Sequence, residues 1–349
     1  MPARPIRLPS MAAFADADAL GALAGPVRSV AAEPLAGVGF SNAALSRITV
    51  TRQDGREQRY VLKRTSLGDD WTAVRSRDVT GREAQLIGDE QFAGVWEVFE
   101  CPYAAFAVER GHTGLLMTDL TPHLLPDVRA PLSCDQEDAL LGALAALHAR
   151  FWNAPALDRT WLATPSDYCE ILGPAVAGDA AAIATLSSPL QQGVPGGWTS
   201  AMPRIDGAAA AKLTCAGRDH QRAWRDLPRT LVHGDAKVAN FAILPGGRVS
   251  AFDWAIAGAG PCTIDVGWYL AVNASRLTGT KEQLLDRYRA RLEDARGERI
   301  AESVWRRLEQ VAVICGARML LWSKALALDA GRPGADAEWA WWMDRLGRS

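Results

Sequence analysis

The sequence predicts an α+β protein, in which a small antiparallel sheet comes first and a larger, mostly helical part follows. In the first third, short apolar runs alternate with turns rich in small and polar residues, which is typical of strands. These runs span 27–35, 45–52 and 60–63. Later apolar residues recur at helical spacing in segments at 133–151, 280–296, 302–328 and 338–346. Pro122 and Pro126 mark the crossing, so we expect a first lobe at 1–119 and a second at 120–349.

The composition is that of a globular protein and favours a small-molecule partner. The chain has 349 residues, of which 48% are hydrophobic and 22% are charged, so each lobe is large enough for its own core. A net charge of -2 provides no basic field for nucleic acid or for an anionic membrane surface. We therefore expect neither partner, and the sequence leaves the oligomeric state open.

The cysteines and the apolar segments indicate a cytoplasmic protein. The six cysteines lack CxxC or paired spacing, so neither a zinc site nor a disulfide framework is indicated. Asp16 and Asp18 interrupt the N-terminal segment before any apolar run reaches signal-peptide length. The most apolar later stretch, 311–328, contains Arg318 and Lys324 and repeats its large residues at helical spacing, which favours a buried helix over a membrane span.

The stretch from 231 to 261 carries the strongest functional signal. Two apolar runs, 241–244 and 249–252, flank a Pro-Gly-Gly-Arg turn and predict a hairpin. If Leu244 pairs with Val249, then Asn240 lies opposite Asp253, at a Cα separation of roughly 5 Å. A carboxamide oxygen and a carboxylate at that distance are ligands that suit Mg²⁺, which fills its octahedron with water and substrate phosphates.

These residues carry a resemblance to a known family. The run His233-Gly234-Asp235, followed by Asn240 and then by Asp253, resembles the catalytic and metal-binding loops of the aminoglycoside phosphotransferase and choline kinase group. The resemblance implies a two-lobed protein-kinase-like fold. It also implies that Asp235 orients or deprotonates the acceptor hydroxyl, while Asn240 and Asp253 hold Mg²⁺ on the nucleotide phosphates.

Further positions follow from the same resemblance. Lys63, at the end of the run Tyr-Val-Leu-Lys, matches the strand lysine that contacts the α- and β-phosphates, where the alternative is a solvated edge lysine. Such a lysine is held by a glutamate on the next helix, for which Glu83 is favoured over Glu90. His233 is expected to be a scaffold that hydrogen-bonds the backbone near Asp253, and Asp265 is expected to brace the catalytic loop.

Two nucleotide-contacting segments are also predicted. The small-residue turn with Gly39, Ser41 and Asn42 lets backbone N–H groups approach phosphate oxygens, although a plain hairpin explains it equally well. The strand that ends near residue 120 resembles the hinge of the family, where adenine is held by backbone groups. The hinge positions are Met117, Thr118 and Leu120.

The expected activity is ATP- and Mg²⁺-dependent transfer of the γ-phosphoryl group to a hydroxyl of a small molecule, with GTP not excluded as the donor. Lys237 departs from the commonest family loop and matches protein kinases, where this lysine neutralises the phosphoryl group in flight. A protein substrate is thus one alternative, and a nucleotide-binding regulatory module without turnover is another. Residues 153–228 carry seven acids against six bases, which favours a low-charge acceptor over a polycationic aminoglycoside.

Overall fold

The computed structural model describes residues 4–36, 41–126, 129–184, 186 and 188–348. The chain divides into two compact units, of which the first comprises 1–125 with 241–255 and the second 126–240 with 256–349. The first boundary lies after residue 125 instead of the predicted 119, and the hairpin region 241–255 belongs with the first unit although we predicted it in the second lobe.

Most strands lie where short apolar runs and turn residues predict them, whereas the short strands at 6–7, 230–232 and 258–260 were not predicted. In chain order they are β1 (Ile6–Arg7), β2 (Val27–Leu35), β3 (Ala44–Arg52), β4 (Glu57–Ser66), β5 (Tyr103–Glu109), β6 (His112–Thr118), β7 (Thr230–Val232), β8 (Phe241–Ile243), β9 (Val249–Ala251) and β10 (Gly258–Gly260). The first six form one sheet in the order β1-β5-β6-β4-β3-β2, in which only the short β1 pairs in parallel with its neighbour.

The helices dominate the second unit. In chain order they are α1 (Ala17–Ala24), α2 (Trp71–Arg75), α3 (Arg82–Gly88), α4 (Val95–Val98), α5 (Cys134–Arg150), α6 (Pro165–Glu170), α7 (Ala180–Ala184), α8 (Pro189–Ala201), α9 (Gly207–Thr214), α10 (Gly217–Ala223), α11 (Thr263–Val272), α12 (Lys281–Arg296), α13 (Glu302–Asp329) and α14 (Ala335–Arg348). The α+β fold class is confirmed. One detail differs: the apolar stretch from 95 to 108, interrupted by Pro102, predicts two short strands or a strand and a loop, but residues 95–98 form helix α4.

The core of the first unit lies between the sheet and the N-terminal segment. Helix α1 begins where the side chain of Asp16 accepts the N–H groups of Asp18 and Ala19. Its Leu20 packs with Phe14 and with Leu62 of β4, and all three side chains are buried. Since side chains alternate along a strand, Lys63 lies on the opposite face of β4 from Leu62.

The predicted register of the hairpin formed by β8 and β9 is wrong by one residue. Ile243, not Leu244, pairs with Val249, and Phe241 pairs with Ala251. Leu244 instead closes the turn, because its N–H donates to the carbonyl of Arg248 at 2.8 Å. Asn240 is the last residue of a short 3-10 turn, Val238–Asn240, so the ladder does not place it opposite Asp253.

The run at 187–197 is rich in Ser, Pro, Gln and Gly and predicts a loop, but residues 189–201 of the second unit form a helix. The Pro, Gln and Gly-rich residues after 188 form α8, which begins with a capping box between Ser188 and Gln191. Two of its glycines face α13, since a Cβ at Gly197 would lie 2.5 Å from the carbonyl oxygen of Trp322 and one at Gly193 would lie 3.3 Å from the ring of Trp322. Glycine therefore indicates close helix contact here, and the prediction of a loop is wrong.

Helix α13 crosses α11 at a point where both helices carry glycine. A Cβ at Gly267 would lie 2.1 Å from the carbonyl oxygen of Ala312, and one at Gly316 would lie 2.4 Å from that of Gly267. Within the described residues, α13 is the one helix long and apolar enough to cross a membrane, by length and composition only. In its most apolar window, 67% is buried inside the structure.

Candidate functional site

The first unit contains a buried lysine between two carboxylates. The Lys63 Nζ atom donates to Glu83 Oε2 at 2.8 Å and to Asp253 Oδ1 at 2.5 Å. Tyr103 donates its hydroxyl to the other oxygen of Glu83 at 2.6 Å. Glu90, the alternative partner, lies elsewhere and pairs with Arg4 at 2.5 Å. The structure thus brings Lys63, Glu83 and Asp253 together.

The electrostatics of this cluster keep the lysine charged. Burial by itself lowers the pKa of Lys63, but the adjacent carboxylates of Asp253 and Glu83 outweigh it and raise that pKa above its usual range. Burial, followed by the charge of Glu83, raises the pKa of Tyr103, so its phenol remains a hydrogen-bond donor. The side chain of Asp253 is 28% exposed, against 9% for Lys63, which leaves the Asp253 carboxylate accessible from solvent.

Local turns aim the two carboxylates at Lys63. Helix α3, which carries Glu83, begins after Gly81 in the left-handed region, with φ of 77°. The Asp78 carboxylate caps this start by accepting the backbone N–H groups of Gly81 and Arg82. Asp253 itself has φ of 66°, a conformation that is rare outside glycine and that often marks a functional position.

The glycine-rich turn is only partly described. Gly39 lies outside the described residues. The Ser41 hydroxyl donates to Asp70 Oδ2 at 2.7 Å, and the same oxygen accepts the backbone N–H of Asn42 at 2.9 Å. The Asn42 side chain donates to the carbonyl of Asp69 at 2.9 Å. These bonds tie the end of the turn to the segment that caps α2.

The predicted hinge positions lie at the end of β6. Met117 is buried and pairs with Val61, whereas Thr118 is exposed and donates its N–H to the carbonyl of Pro102 at 2.8 Å. Leu120 is half-buried and precedes a 3-10 turn that starts at Thr121. The predicted hinge residues therefore lie at the end of β6, an interior strand, where the main chain leaves the sheet.

The second unit contains a carboxylate that is held at both oxygens. Asp235 Oδ2 accepts Lys237 Nζ at 2.8 Å and Asn240 Nδ2 at 3.0 Å. Its Oδ1 accepts the indole N–H of Trp268 at 2.7 Å. Asn240 Nδ2 also donates to the Asp235 carbonyl at 2.9 Å. Both amide hydrogens of Asn240 are directed at Asp235. The amide oxygen of Asn240 therefore remains to bind another group.

Helix α11 braces this loop from one side. The buried Asp265 carboxylate accepts the backbone N–H groups of His233 and Gly234, both at 2.7 Å. At the end of the helix, Asn273 Oδ1 accepts the N–H of Val238 at 3.0 Å. The structure therefore places Asp265 against the loop backbone.

The loop can take this path only with glycine at position 234. Gly234 has φ of 80°, and a Cβ there would lie 2.3 Å from the carbonyl oxygen of Ile256. On either side, β7 pairs with β10 in an antiparallel ladder that fixes both chain segments. The glycine of the His-Gly-Asp run is thus a requirement of the backbone.

The two histidines near the loop are structural. His148 is fully buried, with Nδ1 2.6 Å from the Tyr288 hydroxyl and Nε2 3.1 Å from Asp265 Oδ2. His233 Nδ1 accepts the N–H of Asp235 at 3.2 Å, so this ring stabilises the turn that presents the carboxylate. Its predicted bond to the backbone near Asp253 stays a prediction.

Sequence reasoning missed Tyr103, Trp268 and Asn273. Tyr103 lies twenty residues from the glutamate that it contacts, and Trp268 lies thirty-three residues from Asp235. Only Trp268 had a usable signal, since it follows Asp265 by three positions in a helix and so shares its face.

The fold and these two clusters indicate a class of enzyme. A sheet lysine paired with a helix glutamate, together with an Asp-Lys-Asn loop braced by a later aspartate, is typical of enzymes that transfer phosphoryl groups. The chain belongs to the Phosphotransferase enzyme family, whose sequence profile matches residues 37–311. No curated protein sequence matches this chain significantly.

Solved structures that resemble the chain include phosphotransferases named for different acceptors. Choline kinase LicA from Streptococcus pneumoniae has 12% sequence identity and a TM-score of 0.46, with 95% of this chain and 97% of that chain covered. An aminoglycoside phosphotransferase from Streptomyces rimosus has 16% identity and a TM-score of 0.43, over 85% and 96%. Macrolide 2'-phosphotransferase MphH from Brachybacterium faecium has 17% identity and a TM-score of 0.37, over 96% and 98%.

Proposed function

We propose that the protein is an ATP- and Mg²⁺-dependent phosphotransferase that moves the γ-phosphoryl group to a hydroxyl of a small molecule. The observation that carries the proposal is the Asp235 carboxylate, which three donors hold at both oxygens on a braced loop. A carboxylate fixed in this way is suited to orient a hydroxyl and to take its proton. GTP is the alternative donor, which the experiment below distinguishes.

The chemistry of the donor set fits a nucleotide and its metal. Lys63, held charged by Glu83, would bind the α- and β-phosphates. The carboxylate of Asp253 and the free amide oxygen of Asn240 are hard ligands of the kind that Mg²⁺ takes. When bound, the metal neutralises negative charge on the phosphate oxygens. Lys63 would then exchange its contact with Asp253 for a contact with phosphate.

The transfer step assigns a role to each group of the loop. The O–H bond of the acceptor breaks and its proton goes to Asp235. The acceptor oxygen forms a bond to the γ-phosphorus, and the bond from that phosphorus to the β,γ-bridging oxygen breaks, which leaves ADP. Lys237, 2.8 Å from Asp235, supplies a positive charge beside the group in transfer.

The acceptor is proposed to carry little positive charge. Between residues 153 and 228, each of the seven acids has a partner of its own within the second unit. These acids are Asp158, Asp167, Glu170, Asp179, Asp206, Asp219 and Asp226. Three of them cap helices or turns and the others contact arginines or backbone N–H groups, so a polycation would find few uncommitted carboxylates there.

Three of the four aromatic residues between 153 and 228 contribute to the core, whereas Trp161 is half-buried. Tyr168, Trp198 and Trp224 are 2%, 0% and 7% exposed. Trp198 donates its indole N–H to the carbonyl of Leu172 at 2.7 Å, as expected of a core side chain. The proposal of a low-charge acceptor therefore depends on the committed acids and not on an aromatic pocket.

The proposal is tested by following ADP or GDP formation with Mg-ATP or Mg-GTP and four acceptor classes: a kanamycin-like aminoglycoside, choline, sugars and neutral alcohols. We expect turnover with ATP, and the highest kcat/KM with a low-charge acceptor. Asp235→Asn should bind Mg-ATP about as tightly as the wild type and lose roughly 10²-fold or more in kcat.

Each alternative has its own outcome. Nucleotide binding without turnover of any acceptor indicates a regulatory module. Phosphorylation of a peptide with no small-molecule turnover indicates a protein kinase. A clear preference in kcat/KM for the aminoglycoside would contradict the low-charge acceptor, and an unchanged rate for Asp235→Asn would remove Asp235 from the mechanism.

A further inference from the structure

We propose that Trp268 is a positioning residue for Asp235, because its indole N–H holds Oδ1 and so fixes the orientation in which the carboxylate meets the acceptor's hydroxyl. This inference rests on the proposed function and names a residue that the sequence motifs do not include. The contact on which it depends is the bond from Trp268 Nε1 to Asp235 Oδ1, at 2.7 Å.

The two oxygens of Asp235 have different surroundings. Oδ2 faces the Lys237 ammonium at 2.8 Å and the Asn240 amide at 3.0 Å, whereas Oδ1 has the neutral indole N–H. Both oxygens are therefore held by donors, and Oδ1, which accepts the indole N–H, has a second lone pair for the acceptor's hydroxyl.

Tryptophan suits this role because its indole nitrogen is a donor only. It can neither take the proton from Asp235 nor compete with the acceptor as a base. A carboxylate held at Oδ2 alone can rotate about its Cβ–Cγ bond, while a donor at each oxygen fixes its plane. The indole therefore sets the direction in which Oδ1 presents its remaining lone pair.

The helix that carries Trp268 is itself firmly placed. Trp268 is 5% exposed and lies one turn after Asp265, so one face of α11 contacts both the loop backbone and the Asp235 side chain. The neighbouring Gly267 lies against α13 so closely that a Cβ would meet the carbonyl of Ala312 at 2.1 Å. A movement of α11 that carried the indole away from Asp235 would open this helix crossing.

The test compares two changes at Trp268 with a matched control. Trp268→Phe removes the indole N–H, and replacement of Trp268 by benzothienylalanine removes only the N–H while keeping the shape of the ring. Trp198→Phe is the control, because Trp198 is equally buried and its N–H also donates at 2.7 Å, but to Leu172. All proteins are assayed with Mg-ATP and the best acceptor of the wild type.

We expect both Trp268 variants to lose on the order of 10-fold to 100-fold in kcat, while KM for ATP stays within about twofold. Trp198→Phe should keep kcat, even if its melting temperature falls. As a readout independent of turnover, the ¹⁵N-indole resonance of Trp268, assigned by its loss in Trp268→Phe, should move upfield in Asp235→Ala because the carboxylate no longer accepts its proton.

The outcomes separate this inference from the proposed function. Wild-type protein without turnover of any acceptor would overturn both. Wild-type turnover with a kcat of the benzothienylalanine variant equal to that of Trp198→Phe would overturn the role of Trp268 alone. An indole resonance that is the same in Asp235→Ala and in wild type would show that the contact itself is absent.

Discussion

At the scale of single residues, each charged side chain of the two clusters is paired with an opposite charge. Lys63 is balanced by Glu83 and Asp253, and Asp235 by Lys237. A buried charge is tolerated only when it is paired and hydrogen-bonded, so these groups are costly to alter one at a time. Asp253 stands apart, because its side chain is more exposed than that of Lys63.

The two proposed metal ligands, Asp253 and Asn240, should respond differently to substitution. Asp253→Ala and Asn240→Ala should each reduce the extra thermal stabilisation that Mg-ATP gives over ATP alone, with the larger loss for Asp253, since it removes a charged ligand. Thermal shift with ATP in the presence and absence of Mg²⁺ measures the effect. Asp54→Ala, at an exposed turn of the same unit, is the control. A normal Mg²⁺-dependent shift in Asp253→Ala would contradict its role.

At the scale of elements, α11 is the support on which the loop around Asp235 depends. Its contacts reach His233, Gly234, Asp235 and Val238, and its own position is set by the glycine crossing with α13. Close approach of two helices at glycine leaves no space for a methyl group, so the crossing has one well-defined geometry.

The crossing predicts that Gly267→Ala is destabilising although alanine is the better helix former. The added Cβ would lie 2.1 Å from the Ala312 carbonyl oxygen, so α11 must move away, at a cost of roughly 1–3 kcal/mol in the free energy of unfolding. Urea denaturation measures it. Gly142→Ala is the matched control, because no atom lies within 4 Å of its added Cβ, and we expect it to gain about 0.4–1 kcal/mol. Equal effects of the two changes would show that the helices are not in close contact.

At the scale of the whole molecule, stability depends on buried groups far from the candidate site. His220 is 5% exposed, stacks on Trp224 with ring centroids 4.8 Å apart and lies 3.1 Å from Cys215 Sγ. Burial, followed by the charge of Arg318, lowers the pKa of His220 from 6.5 to about 4. The folded protein therefore keeps this imidazole neutral in a range where the unfolded chain binds a proton.

The sign of the resulting pH dependence is fixed. Between pH 6.5 and about 4 the unfolded state binds more protons at His220 than the folded state, so stability falls as the pH drops through this range. His220→Phe should therefore lose less stability than the wild type between pH 7.5 and pH 4.5, as measured by urea denaturation at each pH. His112→Asn, at an exposed histidine, should follow the wild type. A parallel decline of His220→Phe and wild type would contradict the assignment.

The sequence by itself determined those features whose physical cause lies within a few residues. Ser133 and Thr280 begin helices because each forms a capping box with the glutamine three positions later. Most strands of the sheet follow from short apolar runs and turns, and the run from His233 to Asp235, together with Asn240 and Asp253, indicates the family. These features are readable because their hydrogen bonds and side-chain periodicity are local.

The features that depend on contacts between distant segments were decided only by the tertiary structure. The hairpin register depends on how the turn at 244–248 closes, and a difference of one residue there moves every partner. Gly197 of α8 is typical of a loop in the sequence, because the helix whose close approach requires it, α13, is more than a hundred residues away. Tyr103 and Trp268 reach their carboxylates across twenty and thirty-three residues. Such contacts depend on how closely elements pack, which the spacing of residues along the chain does not encode.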